Sequence, residues 1–443
     1  MKIYKSISTW GVILLFITSV QAQVADTILA MRLEEVWKVA EVNNRQLKLS
    51  ALQVQQSKLE VLEAKDHLLP ELMLGGDIKL NSKFLIYEDG LLSQPQNVPV
   101  KGYGYSAGYS LNYNLFNGGK DKRNINMKQE EEAHRQYEAD LQKHNIKYSV
   151  ALAYFNLCKF LHFADFLAAE IVMENKQLTL IESLQRNGIV LKSDVLRISV
   201  KLSQLELNLS DISKKIDINK ERLNILMGRE ATEPLVIDYK NVHKPEEIQQ
   251  GNYSDYMDIA LNQSPEFKLV KSDIKWSELN IRQIRAMRLP QVSLYSTYNY
   301  SYPQVSFYPY SNNLWGFGQT GIKVQFSVDN LYKIKHSIAR AQLVNNQVRE
   351  KANVKKEEIS LLIKEAYLYQ QQALESVKTI TKTIVKSTET LRVIRNSYLH
   401  QESLLTDLLE AENALLEAKF DLTTAQTDVK LGHLRLLAVV GIL

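Results

Sequence analysis

Two long stretches of this 443-residue chain align with each other without a gap. Leu115–Gly228 matches Val328–Gly441 at an offset of 213 residues. Ala153-Tyr154 becomes Ala366-Tyr367, Asp194-Val195-Leu196 becomes Asp407-Leu408-Leu409, and Met227-Gly228 becomes Val440-Gly441. Upstream the offset is 220 residues, with Ala40, Leu47 and Leu69-Pro70 matching Ala260, Phe267 and Leu289-Pro290. The difference falls between Pro70 and Leu115, where the first copy is longer. A repeat of this length means one structural unit built twice, so the fold must be pseudo-symmetric. It divides the chain into a first repeat at 23–228, a linker at 229–252 and a second repeat at 253–443.

Each copy reads as a helix, two strands, a very long helix, a turn and another long helix. The first helix, Leu33–Leu69, has apolar residues at helical spacing and is ended by Pro70, which lacks an amide and disfavours helix in the residue before it. From Tyr103 to Leu115 the odd positions are Tyr103, Tyr105, Ala107, Tyr109, Leu111, Tyr113 and Leu115, and the even ones are Gly, Ser or Asn. That is strict period two. The second copy repeats it at Val292, Leu294, Tyr298, Tyr300 and Tyr302, with weaker alternation at Leu72–Leu80 and Ile322–Val328. Strands are therefore expected within about 71–116 and 291–328, and long helices within about 121–228 and 333–440.

A soluble sheet shows a similar alternation. A tyrosine-rich face opposite a Gly/Ser/Asn face, however, fits a transmembrane barrel strand with aromatics at the lipid interface and a wet lumen. Four strands cannot close such a barrel, and open edges are not tolerated in lipid. Several chains must then pool their strands, so an oligomer is expected.

The long helices carry heptads. Ile198, Leu202, Leu205, Leu209, Ile212, Ile216, Asn219, Leu223 and Leu226 alternate steps of four and three, and their repeat-mates from Ala411 to Val439 keep the register. Sustained spacing of this kind makes coiled coils. A helix from Asp121 to Arg186 would be on the order of 100 Å long, a rod that must project from any barrel.

The amino terminus bounds the compartment. Lys2 and Lys5 precede an apolar run from Trp10 to Val20, and Val20-Gln21-Ala22 offers small residues for cleavage. Residues 1–22 read as a secretory signal peptide; the alternative is a signal anchor, although the run is about half of the roughly 20 residues a spanning helix needs. No later apolar run reads as long enough to span, and the sole cysteine, Cys158, lies inside a helical pattern and permits no intrachain disulfide. No cysteine follows the expected cleavage site, so a lipid anchor is not expected there. The net charge of +4 is spread without blocks of like charge, which gives no sign of nucleic-acid binding.

Motifs of catalysis fail on context. Gly104-Tyr105-Ser106-Ala107-Gly108 satisfies G-x-S-x-G, but the serine sits mid-strand rather than on a strand-to-helix turn. Gly118-Gly119-Lys120 lacks the rest of a P-loop. The eight His and eight Met are scattered, with no pair at ligand spacing. No enzyme, cofactor or metal site is expected.

The helix turns carry more. Arg186-Asn187-Gly188-Ile189 breaks the first long hairpin and is followed by Ser193-Asp194. Gly188 as a C-cap and Ser193 or Asp194 as an N-cap would explain these residue types. In the second copy Gln401 stands where Gly188 does, and Asp407 and Glu410, three apart, share a helix face near its start. The helix dipole accounts for acids there. In a symmetric oligomer the same pair, facing inward, becomes a ring of carboxylates that selects for cations.

Taken together these features resemble the TolC family of outer-membrane efflux proteins. The residues that carry the resemblance are Leu69-Pro70 and Leu289-Pro290, Asn114-Leu115-Phe116-Asn117-Gly118-Gly119, Ala153-Tyr154 with Ala366-Tyr367, Arg186-x-Gly188 with Ser193-Asp194-Val195-Leu196, Thr406-Asp407-Leu408-Leu409-Glu410, and the terminal Gly228 and Gly441. They span the chain from about Leu33 to Gly441. The resemblance implies an α+β membrane protein: a homotrimer whose chains each give four strands to one 12-stranded barrel, continued by a long periplasmic coiled-coil barrel. It implies a passive exit channel in the outer membrane, in contact with its lipid and docked through a periplasmic adaptor to an inner-membrane transporter. Asp407 and Glu410 match the family's acidic constriction, with Glu in place of a second Asp. Asp194 and Tyr398 match a pair that locks the tip, with Ser193 and Ser403 beside them and Ser403 replacing a family arginine. Gly188 and Ile189 match the tip that meets the adaptor. A periplasmic coiled-coil interaction protein without a pore is the reading from another class. Within the family, a type I secretion or metal-efflux channel is also open.

Overall fold

The computed structural model describes residues 30–240 and 251–443; the expected signal peptide and part of the linker lie outside the described residues. The first repeat comprises α1 (Leu33–Asn43), α2 (Arg45–Asp66), β1 (Glu71–Leu80), β2 (Phe84–Ile86), β3 (Gln96–Val98), β4 (Tyr103–Phe116), α3 (Lys120–Arg186) and α4 (Lys192–Leu226). The second comprises α5 (Tyr253–Gln263), α6 (Pro265–Arg285), β5 (Gln291–Tyr302), β6 (Trp315–Gln325), the single turn α7 (Asn330–Lys333), α8 (Lys335–Leu399) and α9 (Leu405–Val440). The same order thus occurs twice, with α3 at 67 residues and α8 at 65. At 1.5 Å per residue each is a rod of roughly 100 Å.

The expected single helix over Leu33–Leu69 is two helices. The chain breaks at Asn44, whose side chain accepts from the amides of Gln46 and Leu47 and donates to Leu226 O at 2.7 Å. The second copy breaks at the equivalent Ser264, with Pro265 opening α6. Each break receives the glycine that ends its repeat. Gly228 has φ +71, and a Cβ there would collide with Asn43 O; Gly441 has φ +86, and a Cβ would lie 2.8 Å from both Ser264 Cα and Pro265 Cδ. Only glycine combines a left-handed backbone with that approach.

The four long strands form one antiparallel sheet in the order β1-β4-β5-β6. The register puts Ile78, Tyr105 and Tyr302 in line, and likewise Leu74, Tyr109, Tyr298 and Gly318. One face is therefore apolar and aromatic, with Tyr105 and Tyr302 stacked at 5.1 Å. On the other, Gly, Ser and Asn of β4 lie beside Asp77 and Lys79. Both edges, β1 and β6, lack a partner strand among the described residues. The extra length of the first copy folds as the small β2–β3 hairpin, and Asn312 ties the two loops at this end by bonding Pro99 O and Lys101 N, each at 3.0 Å.

The largest core sits halfway along α3, where Val150, Ala153, Tyr154, Leu157 and Cys158 pack against α1, α4 and the linker. The Tyr154 hydroxyl reaches Met31 O and Asp238 O, and Met31 forms a single parallel bridge with Ile237 of the linker. Contrary to the sequence reading, α3 does contain a stretch apolar enough by composition to cross a membrane. Its buried residues are this core, so the apolar run is spent on packing.

Candidate functional site

The hairpins α3–α4 and α8–α9 end at the same point, far from the sheet. Ile181 of α3, Ile198 of α4 and Leu405 and Leu408 of α9 make a buried cluster, with Tyr398 of α8 packed against it. This cluster holds the two tips together. Removing four such side chains from water is worth roughly 6 kcal/mol or more.

The turns close by the same hydrogen bonds. Gly188 (φ +73) donates to Gln185 O and Ile189 to Leu184 O, both at 2.9 Å; Gln401 (φ +65) donates to Tyr398 O at 3.0 Å and Glu402 to Ser397 O at 2.8 Å. The second tip thus keeps the backbone of the first without its glycine, at a cost of about 1 kcal/mol for a left-handed side-chain-bearing residue. Gln401→Gly should return that energy, measured as a small rise in the melting temperature of the folded protein. A fall would show that the Gln401 side chain makes a compensating contact.

Asp194 and Asp407 are repeat-mates, and each closes the start of its helix. Asp194 accepts from Leu191 N at 3.3 Å, and Asp407 accepts from Leu404 N and from the Ser403 hydroxyl, each at 3.2 Å. The N-caps themselves are Leu191 and Leu404, so Asp194 and Asp407 stand at the third helical position and bond back to the cap amide, rather than Ser193 or Asp194 being the N-cap that residue type suggested. Asp407 and Glu410 are both exposed and one turn apart on α9, beside the buried stripe that contains Leu408 and Ala411. Ser193 is exposed and Asp194 half-buried. Burial, reinforced by the nearby Asp194 carboxylate, pushes the Tyr398 hydroxyl above its ordinary value, so it stays a neutral donor. No direct Asp194–Tyr398 hydrogen bond is present among the described residues. Ile189 is exposed, and around Gly188 there is open space.

Sequence reasoning missed a second cluster about two turns above these tips. Lys201 of α4 is buried and pairs with Glu174 of α3 and with Glu412 of α9 at 2.7 Å. Arg395 of α8 bonds the other oxygen of Glu412 at 3.0 Å. Lys201 and Glu412 flank heptad core positions and are 211 residues apart, so no local pattern shows them as buried partners.

This architecture has known counterparts. Residues 36–229 match the family described as outer membrane efflux protein. The crystal structure of the outer membrane protein VceC from Vibrio cholerae has a TM-score of 0.75 at 16% identity, covering 92% of this chain and 96% of its own. The Campylobacter jejuni CmeC outer membrane channel gives 0.76 at 14%, covering 92% and 85%. The open state of the Neisseria gonorrhoeae MtrE outer membrane channel gives 0.74 at 16%, covering 93% and 89%. No curated protein matches the chain in sequence. The fold is the one these solved outer-membrane channels share. The family match over residues 36–229 and the shared fold both agree with the TolC-family resemblance read from the residues.

Proposed function

We propose that this protein is the passive outer-membrane exit duct of a tripartite export system, acting as a homotrimer. The observation that carries the reading is a four-stranded sheet with one aromatic face and two unpaired edges, joined to helical rods of about 100 Å. A sheet of this kind is stable in lipid only when copies complete one another's edges. Three copies give a barrel large enough for an aqueous lumen. The rods would then wall a tunnel across the periplasm.

In that assembly the exposed Asp407 and Glu410 would ring the narrow end and favour cations. Asp194 and Tyr398, with Ser193 and Ser403 beside them, would hold the hairpins together there. The exposed turn at Gly188 and Ile189 would meet a periplasmic adaptor, which links the duct to an energised inner-membrane transporter. The MtrE outer membrane channel, of the same fold, has been solved in an open state, which supports a duct that gates.

Purified, folded protein in planar lipid bilayers tests the reading. Conductance is expected, and Tyr398→Phe or Asp194→Ala should raise the open probability several-fold. A folded trimer that never conducts would rule out a channel and favour a coiled-coil interaction protein. Wild-type gating in both variants would remove those residues from the lock.

A further inference from the structure

Two turns above the tip, four helices from both hairpins meet at one buried set of charges. Lys201 stands among Glu174, Glu412 and, at 3.8 Å, Glu170. Glu174 and Glu412 are almost wholly buried, while Glu170 is partly open to solvent. The three carboxylates each bring an oxygen within 4.8 Å of the others, the spacing of a metal site. The ammonium of Lys201 already fills that centre. Arg395 satisfies the far oxygen of Glu412, and Lys419 of α9 acts on Glu170. The second oxygen of Glu174 is buried with no partner among the described residues. An ionised carboxylate loses far more than a neutral carboxyl by being buried with an unpaired oxygen.

We propose that Lys201, Glu174 and Glu412 form a proton-dependent latch between the two hairpins, closed while Glu174 carries a proton and released as it ionises. The proposal rests on the channel reading for its consequence, since parting the hairpins would widen the tunnel's end. With Glu174 neutral, Lys201 bridges α4 to Glu412 of α9, and Arg395 continues the chain to α8. With Glu174 ionised, two buried carboxylates compete for one ammonium and repel each other across the α3–α9 contact. Burial, opposed by Lys201 and reinforced by the charge of Glu412, raises Glu174 from the ordinary 4.5 to about 7. Burial also raises Glu170. Although burial alone would lower Lys201, its bonds to Glu174 and Glu412 raise it, so it stays charged throughout. A carboxyl raised in the closed form stabilises that form fully below pH 4.5 and loses its contribution as the pH rises through about 7.

The test uses the full chain reconstituted in lipid, read in two ways. In planar bilayers the open probability should rise several-fold between about pH 6 and pH 8, and Glu174→Gln, which mimics the protonated acid, should stay low and flat. Independently, nitroxides at Leu191→Cys and Leu404→Cys, in the presence of buried Cys158, should report tips that separate as the pH rises in the parent but not with Glu174→Gln. Lys201→Met should part the tips at both pH values. Identical pH profiles in the parent and Glu174→Gln, or label distances that ignore pH, overturn the latch. A pH-dependent label distance without conductance would uphold the latch and count against the channel instead.

Discussion

Gly108→Val is expected to abolish assembly of the proposed trimeric barrel, seen as loss of the oligomer on native electrophoresis and of outer-membrane fractionation. Gly108 lies in the middle of β4, opposite Gly75 of β1 and Asn299 of β5. A Cβ there would collide with Tyr298 O and come within 2.9 Å of Asn299 Cα. These are backbone atoms, so no change of rotamer relieves the overlap. Overpacking of this sort costs about 1–3 kcal/mol even where neighbours can shift. Here the shift would open β4–β5 hydrogen bonds, which in lipid have no water to replace them. The loss recurs in every copy of the assembly. Gly102→Val is the control, because nothing lies within 4 Å of its Cβ position, just before β4. A normal trimer from Gly108→Val would mean that the β4–β5 pairing is not the one used in the membrane.

The same position shows why the strands were legible in the sequence. The small residues of β4 alternate with Tyr103, Tyr105 and Tyr109 because one face must admit a crowded neighbour while the other presents aromatics. Period two survives any tertiary context that keeps one face apolar. The long helices were legible for a similar reason, since Ile198, Leu205, Ile216 and Leu223 are buried at intervals along α4, with Leu202, Leu209, Ile212 and Leu226 of the same series half-buried between them.

Legibility ended where the deciding contact was distant. Asn44 breaks its helix because it caps α2 while bonding Leu226, 182 residues away, and the local pattern continues through it unmarked. The β2–β3 hairpin has strands of three residues, too short to show a period. At the tip, an acid near the helix start was readable, because capping is local, but the helix begins one turn before Asp194, at Leu191, so the aspartate bonds back to the cap amide from the third position. Lys201, Glu174 and Glu412 were not readable, because a charged residue beside a heptad core position reads as solvated unless its partner on another helix is known. The turn at Gln401 was half legible. That Gln401 replaces the glycine is visible in the sequence, but that it keeps the left-handed backbone, with the strain falling on the residue, is not.

Neutralising the exposed pair should produce the largest functional change. Asp407→Asn with Glu410→Gln is expected to lower the cation-over-anion permeability ratio by about fivefold or more. Both side chains are exposed on one face of α9, and neither forms an ion pair among the described residues. No close counter-charge among the described residues therefore neutralises them. A unit charge about 5 Å from a permeating ion contributes roughly 1–3 kcal/mol between the dielectric limits of water and a protein surface. Copies of the pair around one axis would add, and salt would screen them less inside a narrow duct than on an open surface. The isosteric amides keep the volume. After Asp407→Asn the side-chain carbonyl still accepts from Leu404 N and the Ser403 hydroxyl, so the helix cap survives. The lost charge weakens the favourable dipole interaction by only about 0.3–1 kcal/mol. Reversal potentials across a salt gradient give the ratio directly, and block by multivalent cations should weaken in parallel. An unchanged ratio in a variant that still conducts would place the narrowest part of the duct away from α9's first two turns.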